Sequence, residues 1–184
     1  LESWVESEKN LVNKAILHSL LAREYSDYMR HNRRQLSDRT ALDVDEAPAD
    51  IREWSTNLFV AKVDEHNLAS LKDSVRLLEV SSKEYVPFVE LEDGSRFYGH
   101  DMYHLLAARA VDTYQLLDGF QVDTLQRARI NSVYINMINA YRHRVGAEDA
   151  VVLATLDYWK WKSTGGGISR EPYATYRERK ERLD

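Results

Sequence analysis

Leu17, Leu21, Tyr25 and Met29 recur every fourth position in an otherwise polar stretch, with Val12, Ile16 and Leu20 beside them. One apolar stripe at helical period predicts a helix from about Ser7 to Arg30. A polar segment, Asn32–Ala49, follows. It carries Arg33 and Arg34, then Asp43, Asp45 and Glu46, and reads as a loop or an arm lying on a partner. Asp50 has the character of an N-cap, with Glu53 as its reciprocal partner. Ile51, Trp54, Leu58 and Ala61 form the stripe of the next helix. Asn67 is the expected cap of another, whose stripe is Leu68, Leu71, Val75 and Leu78. These two predict a helical hairpin.

The period changes between Tyr85 and Gly99. Val86, Phe88 and Glu90 alternate with Pro87 and Val89, and Glu92–Asp93–Gly94–Ser95 is a turn signal, so a small β-hairpin or extended insertion is expected near 86–98. Helix resumes at Asp101, with Met102, Leu106, Ala110, Tyr114 and Leu117 on one face and Gly119 as its stop. A further helix starts near Asp123. It either runs to Arg144 or breaks near Asn131, and Gly146 ends it. Ala147–Ser163 is the next helix, closed by Gly165–Gly166–Gly167. Pro172 opens a short charged helix through Arg177, Glu178, Arg179, Lys180 and Glu181.

Composition sharpens this reading. The 184 residues include only 7 glycines and 3 prolines, and no glycine precedes Gly94. Rare helix punctuation argues for an all-α protein. There is no cysteine, which excludes disulfides, thiolate metal sites and cysteine nucleophiles. The net charge of −5 and the pI near 5.7 disfavour a whole-chain electrostatic grip on nucleic acid. No uncharged stretch approaches the roughly 18 residues that a membrane span needs. The start at Leu1, with Glu2, Glu6 and Glu8 close behind, shows no targeting-peptide signature.

The segment Asn131–Tyr176 resembles a pentatricopeptide repeat, a helix–turn–helix unit. Tyr134, Met137, Ile138, Ala140 and Tyr141 fall on the first-helix pattern. Gly146 falls on the turn, and Glu148, Asp149, Ala150 and Leu153 on the second helix. Gly167, Ile168 and Pro172 match the link, and Tyr176 opens the next unit. In such units small residues admit the second helix, and each further unit covers the face left open. The position that contacts a base in RNA-reading members is Ile135, which offers a base edge no hydrogen bond. The order of helices, Tyr/Pro link and charged last helix is also similar to the subunit Va family of cytochrome c oxidase, helical accessory subunits. At 184 residues the chain has the length of one domain, read as an N-terminal helix (1–31), the arm (32–49), helical hairpins with an insertion (50–130), and the repeat-like unit with its tail (131–184).

The candidate chemistry is sparse. His100 and His104 stand at metal-ligand spacing, but no third ligand or catalytic glutamate adjoins them, so no metal is assigned. Arg142, His143 and Arg144 suit the negative end of a helix dipole better than an anion site. The triple glycine ends a helix where a phosphate loop would begin one. No cofactor and no catalytic residue is expected. Arg30, Arg33 and Arg34, beside His31, form the densest basic cluster. Trp159 and Trp161 lie about 200° apart on a helix, so one faces the core and the other does not. With Phe97, Tyr98, Tyr173 and Tyr176 these residues are the expected partner contacts. The expectation is a non-catalytic accessory subunit that binds other protein subunits of a large assembly. The resemblance places it in a mitochondrial respiratory complex, peripheral on the matrix side of the inner membrane. The competing readings are an RNA-associated helical-repeat protein, as in an organellar ribosome, and a viral or phage structural protein.

Overall fold

The computed structural model describes residues 1–42, 47–86, 89–90, 93–120 and 122–163. Its α-helices are α1 (Glu2–Ser7), α2 (Leu11–His31), α3 (Arg33–Ser37), α4 (Thr56–Ser70), α5 (Ser74–Glu79), α6 (Met102–Gln115), α7 (Asp123–Arg142) and α8 (Glu148–Ser163). The protein is all-α, with no strand among the described residues.

The expected first helix starts at Leu11 and not at Ser7, because Asn10 caps it, and a short helix, α1, precedes it. The Asn10 side chain accepts from the backbone N–H groups of Val12 and Asn13 at 2.9 and 3.1 Å, which starts α2 at Leu11 and leaves α1 as a separate turn. The expected stripe then points inward: Leu21, Tyr25 and Met29 are buried, and Ile16 and Leu17 pack on the core. Buried Ala15, Ser19, Ala22 and Ser26 add a ridge of small side chains that lets neighbouring helices approach. The most extensive helix contact is α2 with α4. The two run antiparallel, since Tyr28 stacks on Phe59 at 5.1 Å while His18 meets His66.

The arm folds back on its own chain over its described part. It begins as α3, with Leu36 buried, and continues to Leu42. There Asn57 exchanges hydrogen bonds with the Leu42 backbone at 2.6 and 3.2 Å, and Arg39 donates to the Trp54 carbonyl at 2.6 Å. Asp43, Asp45 and Glu46 lie outside the described residues. Asp50 does cap, but it caps a 3-10 turn, Ile51–Glu53. Trp54 is extended, with its indole N–H bonded to the Pro48 carbonyl at 2.6 Å, so the α-helix waits until Thr56.

Asn67 is not a cap: it lies buried inside α4, which runs on to Ser70. The turn after Ser70 resets the helical phase. Leu77 becomes fully buried, whereas Leu68 and Val75 stand 49% and 73% exposed. The insertion is a loop closed at its neck. Ser81 bridges Asp101, the Ser82 N–H donates to the His100 carbonyl at 2.6 Å, and the Met102 N–H donates to the Val80 carbonyl at 2.9 Å. Its described part holds 3-10 turns, Ser82–Tyr85 and Asp93–Tyr98; Pro87, Phe88, Leu91 and Glu92 lie outside the described residues.

From Asp101 to Ser163 the helices follow the expected order; the link at Gly167, Ile168 and Pro172 and the charged last helix lie outside the described residues. Met102, Leu106, Ala110, Tyr114 and Leu117 are all buried, α7 is one unbroken helix, and α7 and α8 pack as a hairpin across the short connection 143–147. Gly119 and Gly146 take positive φ at the two turns. At Gly119 the reason is twofold: φ is +79°, and a Cβ there would lie 2.1 Å from Nη2 of Arg33, which donates to the Gly119 carbonyl at 3.0 Å. Gly119→Ala is expected to cost roughly 1–3 kcal/mol in urea unfolding, and less in an Arg33→Ala background where the crowding is gone. Equal losses in both backgrounds would assign the whole cost to the backbone.

Candidate functional site

Asp101 lies where the insertion closes. Only 2% of it is exposed, yet it is the acceptor for three donors. The His104 N–H reaches Oδ1 at 2.8 Å, which caps α6; the Tyr141 hydroxyl reaches both oxygens at 3.0 and 2.9 Å; Arg144 Nη1 reaches Oδ2 at 2.9 Å. Burial pushes the carboxyl pKa upward, and the His104, Tyr141 and Arg144 donors oppose that rise. Partners that all donate are those an ionised carboxylate takes. Beside this tie Tyr98 stacks on His104 with ring centroids 3.7 Å apart, and its hydroxyl donates to Asp157 of α8 at 3.1 Å. Burial drives the His104 pKa down to about 4 and the Asp157 pKa up to about 6. His104 is therefore neutral near pH 7.

A second tie crosses α4, α6 and α7. Asp64 accepts both arms of the Arg129 guanidinium at 2.7 Å each and the Tyr114 hydroxyl at 2.8 Å. This forked, charge-assisted geometry fixes three helices through one carboxylate. The polar chemistry in both ties is spent on positioning helices.

The expected partner contacts divide once placed in the fold. Arg30 and Arg34 are exposed at the ends of α2 and α3. Arg33, also exposed, is bound to the Gly119 carbonyl, with its guanidinium 5.5 Å from the Phe120 ring centroid. Phe97 packs partly against the core, with Arg96 over its ring at 4.8 Å. Tyr98 is a correction: at 1% exposed it is a core residue, held by the His104 stack and Asp157. Trp161 is another: it is buried among Tyr134 and Tyr158, while Trp159 is 61% exposed, as the 200° separation requires. Tyr173, Tyr176 and the triple glycine lie outside the described residues. His100 takes φ +53° and holds Ser82 through its carbonyl, and its ring meets Ser95 at 2.8 Å. Among the described residues no three His, Asp or Glu side chains are grouped to hold a metal. Arg144 belongs to Asp101 and not to an anion patch.

What the expected contacts leave out is the rest of the outer face of α8. Val152, Leu156 and Trp159, at i, i+4 and i+7, are 48%, 37% and 61% exposed, and Ile135 on α7 is 38% exposed. The opposite face of α8 buries Ala150, Leu153, Ala154, Tyr158 and Trp161. The helix is thus apolar on both sides, a pattern that suits a helix covered on both sides. Reading all of α8 as one repeat helix hid this division. No helix of the described chain is long and apolar enough to cross a membrane. Compared with protein-family models, curated proteins and solved structures, the chain matches none.

Two substitutions test the buried chemistry. Asp101→Ala strands three donors and is expected to cost about 3–5 kcal/mol in urea unfolding. Asp157→Asn keeps an acceptor for Tyr98 without the partly buried charge. Because the folded carboxyl has the raised pKa, ionisation penalises folding progressively from about pH 4 and in full above about pH 6. The variant should therefore be the more stable at pH 8, by on the order of 1–2 kcal/mol, and the gain should vanish toward pH 4.

Proposed function

We propose that this chain is a non-catalytic binding subunit that docks on a partner protein through the outer face of α8. The observation that carries the reading is the stripe Val152–Leu156–Trp159 on a helix whose other face is already in the core. An exposed tryptophan flanked by aliphatic side chains has the make-up of an interface anchor. The charge pattern states the partner's chemistry. Glu148 and Asp149 occupy the first turn of α8, and Lys160 and Lys162 the last. A partner helix laid antiparallel, with apolar residues at the same spacing, places its own acidic start beside exposed Lys162 and its basic end beside Glu148 and Asp149.

The finer fold description belongs to the same proposal. The α7–α8 hairpin is a unit of pentatricopeptide type: Tyr134, Met137, Ile138 and Tyr141 bury one side of the seam, Ala150 and Leu153 the other, and Gly146 makes the turn. Units of that kind leave the outer face of their second helix for the next element. We take the partner to belong to a respiratory assembly on the matrix side of the mitochondrial inner membrane, a reading that rests on the order of helices and its resemblance to helical accessory subunits alone. The RNA-associated reading has less support, because Ile135 stands at the base-contacting position of the resemblance and Arg144 is bound to Asp101.

The test uses tagged full-length chain expressed in its source cells and recovered under native conditions, with and without nuclease. The reading predicts co-purification of defined protein subunits in fixed ratio, indifferent to nuclease and lost in Leu156→Ala/Trp159→Ala. That double variant should unfold within about 1 kcal/mol of the parent, since both side chains are exposed. Recovery that the variant leaves intact, or that nuclease abolishes, would overturn it.

A further inference from the structure

The interface between α2 and α4 encloses two histidines whose rings meet head-on. His18 Nδ1 lies 2.9 Å from His66 Nδ1, with ring centroids 5.1 Å apart. His66 is 6% exposed and stacks on Tyr25 at an interplanar angle of 11°. The Tyr25 hydroxyl donates to Glu2, which fastens α1 to the same place. The His66 Nε2 atom is buried with no hydrogen-bond partner among the described residues.

Proton counting decides what this contact tolerates. A hydrogen bond between two Nδ1 atoms needs one N–H and one lone pair. In the neutral pair, His66 donating leaves its Nε2 bare, and His18 carries its other N–H toward its more open side. One further proton, with the contact kept, must put N–H on both Nε2 atoms, because only one Nδ1 holds a lone pair. That places a donor on the buried, partnerless His66 Nε2. A second proton removes the lone pair and breaks the contact. The groups facing the pair are mixed in sign: Lys14 on α2, Glu65 and Lys62 on α4, and Glu2 on α1. From α6, Arg109 donates to Ser19, the residue after His18, at 3.0 Å.

We propose that the His18–His66 contact is a proton-sensitive latch, closed while both imidazoles are neutral, that loosens α1–α2 from α4 on acidification. This regulation is independent of the α8 docking face. Burial holds both imidazoles below the ordinary histidine range, and on His18 the neighbouring His66 adds to it. With folded values depressed, unfolding takes up protons below about pH 6.5, so the latch's contribution is complete above that pH and declines beneath it. Buried His104 acts in the same direction, and Asp157 in the opposite one between about pH 4 and 6. Neither is changed by substituting the pair.

The experiment compares urea unfolding of the full chain with that of His18→Gln/His66→Phe between pH 7.5 and 5; phenylalanine keeps the stack on Tyr25. The parent's unfolding constant should rise by on the order of tenfold more per pH unit than the variant's for each proton taken up. Parallel pH dependences would overturn the proposal. A second readout needs no change to the pair: imidazole ¹⁵N–¹H correlation spectra at pH 8, with the His18 and His66 rings assigned, should show one ring of the pair protonated at Nδ1. Both rings protonated only at Nε2 would overturn it equally.

Discussion

A carboxylate removed from water organises the second half of this fold. Asp101 starts α6, receives the hydroxyl and guanidinium that end α7, and sits at the neck of the insertion. Taking one charge out of solvent is unfavourable unless several donors converge on it. Three elements must therefore be in register before the carboxylate is satisfied. Asp64 repeats the arrangement across α4, α6 and α7. Apolar burial supplies the bulk of the driving force but has little direction, whereas these two ties specify which helix lies against which.

The same division of labour explains the surface. Buried ionisable groups are committed to helix placement, so recognition falls to exposed side chains. α8 is where that becomes acute. Its inner face meets Tyr134 through Tyr158 and Trp161, and its outer face offers Val152, Leu156 and Trp159 to something else. A helix with two apolar faces fits an assembly in which a neighbour completes the packing.

Local signals were legible wherever one helix face decided the outcome. The start of α6 near Asp101, the buried stripe Met102, Leu106, Ala110, Tyr114 and Leu117, and the turns at Gly119 and Gly146 all follow from period and backbone preference. Asn67 misled because a polar residue after an apolar run looks like a cap, while here tertiary packing carries α4 through it. Tyr98 misled because aromatics beside a turn look like surface anchors, and its partner Asp157 lies 59 positions away. The histidine pair, 48 positions apart, leaves no trace in spacing at all. Sequence patterns report which face a residue turns inward; they do not report which distant side chain it meets there.

The outer face of α8 can be interrogated in place. A photoreactive side chain substituted at Trp159, irradiated in source cells and traced by mass spectrometry, records what lies against that face. The account predicts crosslinks to a helix of a separate protein, absent when the same group replaces exposed Lys72 on the turn after α4. Crosslinks into nucleic acid, or only into residues 164–184 of the same chain, would contradict it.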